Sequence, residues 1–245
     1  HTRYISVTGV QTCALPIYAT LIINNNNVGF GGANNIGIAQ ANTSHVLLLN
    51  PDCLPDPTLY EQLAAAIDSF PEAAIIAPQI IRRDGSLEVS YRFPKTHWKS
   101  LGQGAEGPCC VGFASGAALL LNKKTMFEVG YFDENFFLYY EDEDLCQRVF
   151  DAQKELIIYP SAQVIHLSRG SVKGKSPLKS EYLRGYHHAQ SKLLFEFKYV
   201  GSASRTKLRY KTLVLAVLNL LVRLLFPQPK YVARLIGRIK GLIDA

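Results

Sequence analysis

Short apolar runs alternate with helical patterns along most of the first 170 residues of the chain. The apolar runs predict strands at residues 20–23, 45–49, 73–81, 87–92, 109–121, 156–159 and 163–167. Between the runs, apolar residues at helical spacing predict helices, and Gly130 ends the helix predicted at 123–129. This alternation predicts an α/β fold with a mostly parallel sheet.

A glycine-rich segment, residues 28–39, follows the first of these strands. It predicts a glycine loop that leads into a helix, and such loops let backbone N–H groups approach a phosphate or a sugar. The segment lacks the spacing of a P-loop and of a dinucleotide-binding fingerprint. A tight turn without any ligand has the same pattern, so both interpretations stay open.

An Asn-Pro-Asp turn, Asn50 to Asp52, comes directly after the apolar run at 45–49. Ligands of open α/β sheets bind at the carboxyl ends of the strands. Asp52 is therefore predicted to lie where a hard cation and a diphosphate can meet. The alternative is that these residues form a turn and nothing more.

Four consecutive acids, Glu141 to Asp144, follow an aromatic run at residues 136–140. The apolar spacing after them predicts a helix, so the acids occupy its first turn, where the helix dipole favours negative charge. An ordinary solvated helix begins in this way too. The adjacent aromatic run instead indicates a partly enclosed site, in which a carboxylate can serve as a general base.

His166 lies near the end of the last predicted strand. The segment after it contains Lys173, Lys175 and Lys179, which would place a neutral imidazole and several cations in one region. A purely structural histidine at a strand end is the alternative.

Composition and charge narrow the class of protein. At 245 residues, with 48% hydrophobic and 19% charged residues, the chain fits one large globular domain, or one domain with an appendage. Nine of the 26 Lys and Arg residues and a single acid lie in 201–245. The net charge is therefore +8 in that segment and −2 in the rest of the chain. Residues 1–200 have no basic surplus, which argues against a nucleic-acid partner.

The five cysteines lack CxxC spacing and are predicted to be free thiols of a reducing compartment.

Two apolar, basic helices are predicted in the C-terminal segment. Residues 212–226 are nearly all apolar, but this run falls short of the roughly 20 residues that span a bilayer. Residues 230–240 have the amphipathic basic pattern of helices that lie in an anionic membrane interface. We therefore predict peripheral association with the cytoplasmic face of the cell membrane. A helix packed on the protein itself is the alternative.

Five motifs occur in a fixed order between residues 20 and 199. They are Asn-x-Gly-Phe-x-x-Gly/Ala-Asn-Asn at 27–35, Leu-Leu-Leu-Asn-Pro-Asp at 47–52, Asp-Gly-Ser-Leu with Arg-Phe-Pro at 84–94, Ser-Gly-Ala at 115–117, and Gly-x-Phe-Asp-Glu-x-Phe-Phe with Glu-Asp-x-Asp-Leu-Cys at 130–146. Each motif alone is weak, whereas the ordered set is specific. The set resembles the family 2 glycosyltransferases of GT-A fold, and within them the bacterial rhamnosyltransferase-like branch.

The resemblance implies a role for each candidate residue. Asp52 stands at the end of the family's DxD motif, whose first Asp is Asn50 here, and would bind a divalent metal (Mg²⁺ or Mn²⁺), with His166 completing the site. Asp142 would take the proton of the acceptor hydroxyl, while Glu141 and Asp144 would orient the base and the acceptor. The pocket for the donor would be formed by Gly29, Phe30, Gly31, Gly32, Asn34, Asn50, Asp52, Ser115 and Gly116.

The resemblance also implies a reaction. It is the inverting transfer of a sugar, in this branch usually rhamnose from a dTDP-linked donor, to a polyprenyl-linked glycan or a cell-surface polysaccharide. A non-catalytic, membrane-bound module of GT-A type is one alternative. A nucleotidyltransferase is another, but no basic phosphate loop is visible near the N-terminus.

The N-terminal region departs from the family pattern. The family begins with two strand–helix units, and residues 20–27 here correspond to its third strand. Residues 1–17 resemble a translated sequencing adapter. We therefore expect an N-terminally truncated chain of little or no activity, with a partial GT-A domain at 18–200 and membrane-associating helices at 201–245.

Overall fold

The computed structural model describes residues 3–6, 19–93, 104–167, 176–199, 202–225 and 228–245. Residues 94–103, most of residues 1–17 and the segment at 168–175, which contains Lys173 and Lys175, lie outside the described residues. The chain forms two compact units. The first takes in residues 1–28, 32–133 and 142–171, and the second takes in residues 29–31, 134–141 and 172–245.

Strands and helices alternate through the first unit, and three long helices dominate the second. In chain order the elements are β1 (Arg3–Ser6), β2 (Ala19–Ile22), α1 (Gly29–Gln40), β3 (His45–Leu49), β4 (Cys53–Pro55), α2 (Leu59–Ser69), β5 (Ile75–Arg82), β6 (Leu87–Glu88), β7 (Tyr91–Arg92), β8 (Cys109–Cys110), β9 (Phe113–Ala114), β10 (Ala118–Asn122), α3 (Lys123–Val129), α4 (Glu141–Asp151), β11 (Leu156–His166), α5 (Pro177–Tyr199), α6 (Ser202–Leu225) and α7 (Pro229–Asp244).

The central sheet has the order β3-β10-β5-β11-β4, with β6 beside β5 and β8 beside β11. Only β5 and β11 pair in parallel among the described strands of this sheet, and its other pairings are antiparallel. The α/β class and the central sheet are confirmed, but the expectation of a mostly parallel sheet is corrected to a mixed one. An apolar run indicates that a strand is buried on both faces but does not indicate the direction of the strand. The sheet is mixed partly because β10 lies between β3 and β5 and is antiparallel to both.

The core of the first unit forms where helix α2 packs on this sheet. Leu59, Leu63 and Ala66 recur at helical spacing on α2 and are buried against β5, β10 and β11. Six consecutive residues of β5, from Ile75 to Ile80, are buried. The apolar runs of the sequence therefore mark the central strands correctly.

Three boundaries differ from the sequence expectation. The predicted strand 109–121 is divided into β8, β9 and β10, with Ser115 and Gly116 in the gap before β10. The two predicted strands around residue 160 form one strand, β11, which bulges between Tyr159 and Gln163. Helix α1 begins at Gly29, so the predicted glycine loop is the first turn of the helix.

The second unit is held by close packing of α7 on α5. Gly185 of α5 and Gly237 of α7 lie at this crossing, where a Cβ on either glycine would meet a backbone oxygen of the other helix at 1.9 Å. Arg234 of α7 donates from Nε to the Glu181 carboxylate at 2.7 Å, and the Glu181 side chain is largely buried. For α7 the alternative considered from the sequence, a helix packed on the protein, therefore holds.

Helix α6 differs from α7 because much of its apolar surface is exposed. Leu215, Leu218, Leu221 and Val222 are each about half exposed or more. Within the described residues, no helix is both long enough and apolar enough to cross a membrane. The boundary predicted at residue 200 falls inside this second unit, so the division into a transferase domain and a membrane segment stays a prediction.

Candidate active site

The Asn-Pro-Asp turn is fixed by backbone hydrogen bonds at the end of β3. The Asn50 N–H donates to the Ala117 carbonyl at 2.9 Å, and the Cys53 N–H donates back to the Asn50 carbonyl at 3.0 Å. The Asp52 carbonyl accepts from the Leu167 N–H at 2.9 Å, which ties the turn to the end of β11. The Asp52 side chain is 7% exposed. A buried carboxylate is thus presented at a strand end, as the sequence predicts.

His166 meets this turn because β11 pairs with β4, which places His166 opposite Cys53. His166 Nε2 lies 3.7 Å from Asp52 Oδ1. Ligand atoms of Asp52, Cys53 and His166 all lie within 4.8 Å of one another. Burial, with the Asp52 charge as a smaller cause, raises the pKa of the Cys53 thiol to about 12. Its Sγ donates to the Ala117 carbonyl at 3.5 Å.

These contacts test whether a divalent cation fits the turn. A thiol is a poor ligand for hard cations such as Mg²⁺ and Mn²⁺, and the Cys53 Sγ already donates to the Ala117 carbonyl. The remaining donors are one carboxylate oxygen and one imidazole nitrogen that face each other, which suits a cation such as Mn²⁺. Asp52 and His166 are therefore the residues here that could hold a metal.

Asp142 occupies the first turn of α4, and two backbone donors hold its carboxylate. Gly116 N–H donates to Oδ2 at 3.1 Å, and Glu143 N–H donates to Oδ1 at 3.0 Å. Burial raises the pKa of Asp142 above the ordinary value for aspartate, while these two hydrogen bonds oppose the rise. A carboxylate with a raised pKa and a fixed orientation has the properties of a general base.

A three-residue segment, Ser115 to Ala117, brings Asp142 close to the Asn-Pro-Asp turn. The amide of Gly116 holds the Asp142 carboxylate, and the carbonyl of the next residue, Ala117, accepts from Asn50. Asp52 and Asp142, which are 90 residues apart in the sequence, therefore both lie near the start of β10. The sequence motif predicts Ser115 and Gly116 in the donor pocket, whereas the hydrogen bond from Gly116 to Asp142 is visible only in the structure.

Arg92 and Glu143 form an ion pair next to Asp142. The Arg92 guanidinium also lies over the Phe113 ring, 3.8 Å from its centroid, because β7 pairs with β9. Burial raises the pKa of Glu143, and Arg92 opposes this rise. Sequence analysis missed this pair as site residues. The signal was present, since Arg92 belongs to the Arg-Phe-Pro motif and Glu143 to the acidic run.

Asp144 faces the protein interior. Its carboxylate is fully buried and accepts from Arg148 Nε at 2.9 Å. The same guanidinium donates to the carbonyls of Val129 and Gly130 at 3.1 and 2.8 Å, and also to Tyr131. Asp144 therefore supports the segment that follows α3. Glu141, the first residue of α4, is buried and belongs to the second unit.

The glycine block is divided between the two units, with Gly29, Phe30 and Gly31 in the second unit and Gly32 and Asn34 in the first. Gly29 has φ +77°, and a Cβ there would lie 2.4 Å from the Phe137 carbonyl oxygen. This carbonyl accepts from the Phe30 N–H at 3.1 Å. Glycine at 29 is thus required by a backbone contact within the protein. The donor-binding role of these residues stays a prediction.

A family model matches part of the chain. Residues 12–125, which are 114 of the 245 residues, match the model of glycosyl transferase family 2. This match and the relatives below support membership of this family. The match begins inside the segment 1–17, which sequence analysis set aside.

Two curated relatives are similar to the chain over longer stretches. The chain is 29% identical, over 194 residues, to the N-acetylglucosaminyl-diphospho-decaprenol L-rhamnosyltransferase of Mycobacterium tuberculosis, covering 66% of this chain and 62% of that relative. It is 28% identical to the low-salt glycan biosynthesis hexosyltransferase Agl10 of Haloferax volcanii, covering 88% of this chain and 73% of that relative. These relatives support the rhamnosyltransferase-like branch.

Solved structures of similar fold come from the GT-A glycosyltransferases. GalNAc-T7, solved with UDP, GalNAc and Mn²⁺, superposes with a TM-score of 0.51 at 18% identity, covering 72% of this chain and 39% of that one. The mannosyltransferase PcManGT of Pyrobaculum calidifontis, solved with GDP-Man and Mn²⁺, gives a TM-score of 0.50 at 13% identity, covering 93% and 70%. The GT-A fold expected from the sequence is confirmed.

Proposed function

We propose that this glycosyltransferase transfers a sugar, a deoxyhexose such as rhamnose, from a nucleoside-diphosphate donor to a polyprenyl-linked or polysaccharide acceptor with inversion. Asp142 is the general base, and Asp52 and His166 form the metal site. One observation carries this proposal: the Ser115–Ala117 segment brings the Asp142 carboxylate beside the Asn-Pro-Asp turn. The similarity to a rhamnosyltransferase of a lipid-linked substrate supports the choice of donor and acceptor.

The chemistry follows from where the charges lie. Asp142 takes the proton of the acceptor hydroxyl while the oxygen of that hydroxyl forms the new bond to the anomeric carbon of the donor sugar. The bond from that carbon to the diphosphate breaks, and the electron pair leaves with the diphosphate. Asp52 and His166 would hold a divalent cation, which when bound supplies positive charge beside the leaving group. Arg92, which pairs with Glu143, places a positive charge next to Asp142 and limits the rise of the pKa of Asp142.

A matched pair of variants on α4 tests the role of Asp142. Asp142→Asn should lower sugar transfer by about 10²–10⁴-fold, the usual contribution of a general base, while Mn²⁺ binding persists. Asp151→Asn is the control, because Asp151 is an exposed acid at the end of the same helix. Transfer is measured with nucleotide-sugars, Mn²⁺ and a membrane extract as acceptor, on the chain joined to the N-terminal strand–helix units of a family relative. Unchanged transfer by Asp142→Asn in this joined chain would refute the assignment. A joined chain that binds Mn²⁺ without any transfer would favour the non-catalytic alternative.

The membrane partner is proposed for α6 and not for α7, whose Arg234 and Arg238 contact Glu181 and His188 of α5. Val214, Leu215, Leu218, Leu221 and Val222 form an exposed apolar face of α6. The same side of the helix carries Lys207 and Lys211 one to two turns earlier, and α6 contains no acidic residue. An apolar face with adjacent cations fits an anionic lipid interface.

Vesicle sedimentation tests this surface. Leu218→Glu should weaken binding to phosphatidylglycerol vesicles by about tenfold or more, since burial of a leucine contributes about 1.5–3 kcal/mol. Phe127→Glu is the control, because Phe127 is 83% exposed but lies on α3 in the first unit. Equal losses in the two variants, or loss in neither, would contradict a membrane contact at α6. A concentration-dependent change in mass would indicate a second copy instead.

A further inference from the structure

His166 lies between two carboxylates that approach its two ring nitrogens. Nε2 is 3.7 Å from Asp52 Oδ1, and Nδ1 is 3.8 Å from Glu88 Oε2. Glu88 is not among the candidate residues identified from the sequence. Its contact exists because β6 and β11 flank β5, so that a short hairpin carries Glu88 to the same edge as the end of β11.

The backbone at Glu88 is fixed by the turn before it. Asp84 Oδ1 accepts from the Ser86 N–H at 2.9 Å and from its hydroxyl at 2.6 Å, and Gly85 supplies the φ of +81° that this turn needs. Gln79 Nε2 donates to the Glu88 carbonyl at 3.1 Å, and Gln79 itself is buried. The backbone that carries the Glu88 side chain is therefore fixed by the fold.

A neutral imidazole carries one N–H and one lone pair, so only one nitrogen at a time can face a cation. Metal-binding histidines usually donate the other N–H to a carboxylate or a carbonyl, which fixes the tautomer and the ring orientation. Glu88 Oε2 is buried and has no hydrogen-bond partner within 3.5 Å among the described residues. His166 Nδ1 lies 3.8 Å from this oxygen, somewhat longer than a hydrogen bond, so a small side-chain rotation would let an Nδ1–H donate to it.

We infer that Glu88 is a positioning residue that holds His166 as the Nδ1–H tautomer and so turns the Nε2 lone pair toward Asp52. This inference rests on the proposed metal site at Asp52 and His166. Glu88 does not itself join the ligand set, because it faces the nitrogen on the other side of the ring from Asp52. Its effect on the reaction passes through the affinity of the site for a divalent cation.

Two readouts on the full chain test the inference. The first is Mn²⁺ affinity, measured by the loss of the free-ion EPR signal. The second is the tautomer of His166, measured from ¹⁵N chemical shifts of the metal-free protein at about pH 8, where an ordinary imidazole is neutral. Glu88→Ala should weaken Mn²⁺ binding by about 10–100-fold and convert His166 to a mixture of tautomers. Glu88→Gln should keep the Nδ1–H form, since its amide oxygen still accepts, and should lose less affinity.

Controls separate this inference from the metal site itself. Glu72→Gln, an exposed glutamate of the same unit, should change neither readout. Asp52→Asn and His166→Ala should abolish tight Mn²⁺ binding; if they do not, the proposed metal site is wrong. If they do, while Glu88→Ala leaves both the affinity and the tautomer unchanged, the role of Glu88 is refuted. Thermal unfolding identifies a variant that has failed to fold; if Glu88→Ala fails, Glu88→Leu, which also removes the acceptor, takes its place with the same expected results.

Discussion

The crossing of α5 and α7 leaves no room for a side chain at Gly237. A Cβ there would lie 1.9 Å from the Tyr182 carbonyl oxygen, whereas ordinary contacts of this kind are 3.4–4 Å. Gly237→Ala therefore forces the two backbones apart by about 1.5 Å or bends one of them. Overpacking of this kind costs about 1–3 kcal/mol, and the better helix propensity of alanine returns at most about 1 kcal/mol. We expect a net loss of stability.

Thermal unfolding followed by circular dichroism measures this loss. For a chain of this length, each 1 kcal/mol lowers Tm by about 2–4 °C. Gly37→Ala is the matched control, because Gly37 is also helical but a Cβ there meets nothing within 4 Å. That substitution should raise stability by about 0.5–1 kcal/mol. If Gly237→Ala is as stable as Gly37→Ala, α7 does not pack on α5 at this crossing.

Three further predictions concern the first unit. Arg148→Met should cost about 3–5 kcal/mol in urea unfolding, because it removes the cation that pairs with the buried Asp144 carboxylate; a loss below about 1 kcal/mol would contradict a stabilising role of this ion pair. Burial raises the pKa of Asp142, and a base works only when deprotonated, so kcat/KM should rise with pH through a pKa above the ordinary aspartate value of about 3.9. Arg92→Met should move that acidic limb to higher pH, because the Arg92 charge lowers the pKa of Asp142; a limb that stays in place would exclude this coupling.

The local pattern of the sequence predicts most elements because burial leaves a direct mark on it. Strand β3 and helix α3 have the bounds expected from their apolar residues, and Gly130 ends α3 with a φ of +85°. Strand direction leaves no such mark, so the mixed character of the sheet was missed. The glycine block was misread for a similar reason. Glycines in a first helical turn look like a loop unless the contact of Gly29 with Phe137 is known.

The site was predictable in its parts but not in its contacts. Asp52 and His166 stand at strand ends, where position along the chain is informative, and the fold brings them together. The acids of α4 were harder to separate, because four adjacent carboxylates differ only in the direction of each side chain. Asp142 turns to Gly116, whereas Asp144 turns inward to Arg148. Glu88 was missed because its partner is 78 residues away in the sequence and reaches it only through the hairpin at β6.

The backbone of the Ser115–Ala117 segment joins the two halves of the proposed chemistry. The Gly116 N–H holds the proposed base, and the Ala117 carbonyl accepts from the Asn50 N–H and from the Cys53 thiol. Only the Cα atoms of Gly116 and Ala117 and the peptide group between them separate the Gly116 N–H from the Ala117 carbonyl, and both groups are held by hydrogen bonds. We therefore expect a shift of the Asn-Pro-Asp turn to displace the Gly116 N–H that orients Asp142. Donor binding at the turn and proton removal by Asp142 are for this reason expected to be coupled through one segment of main chain.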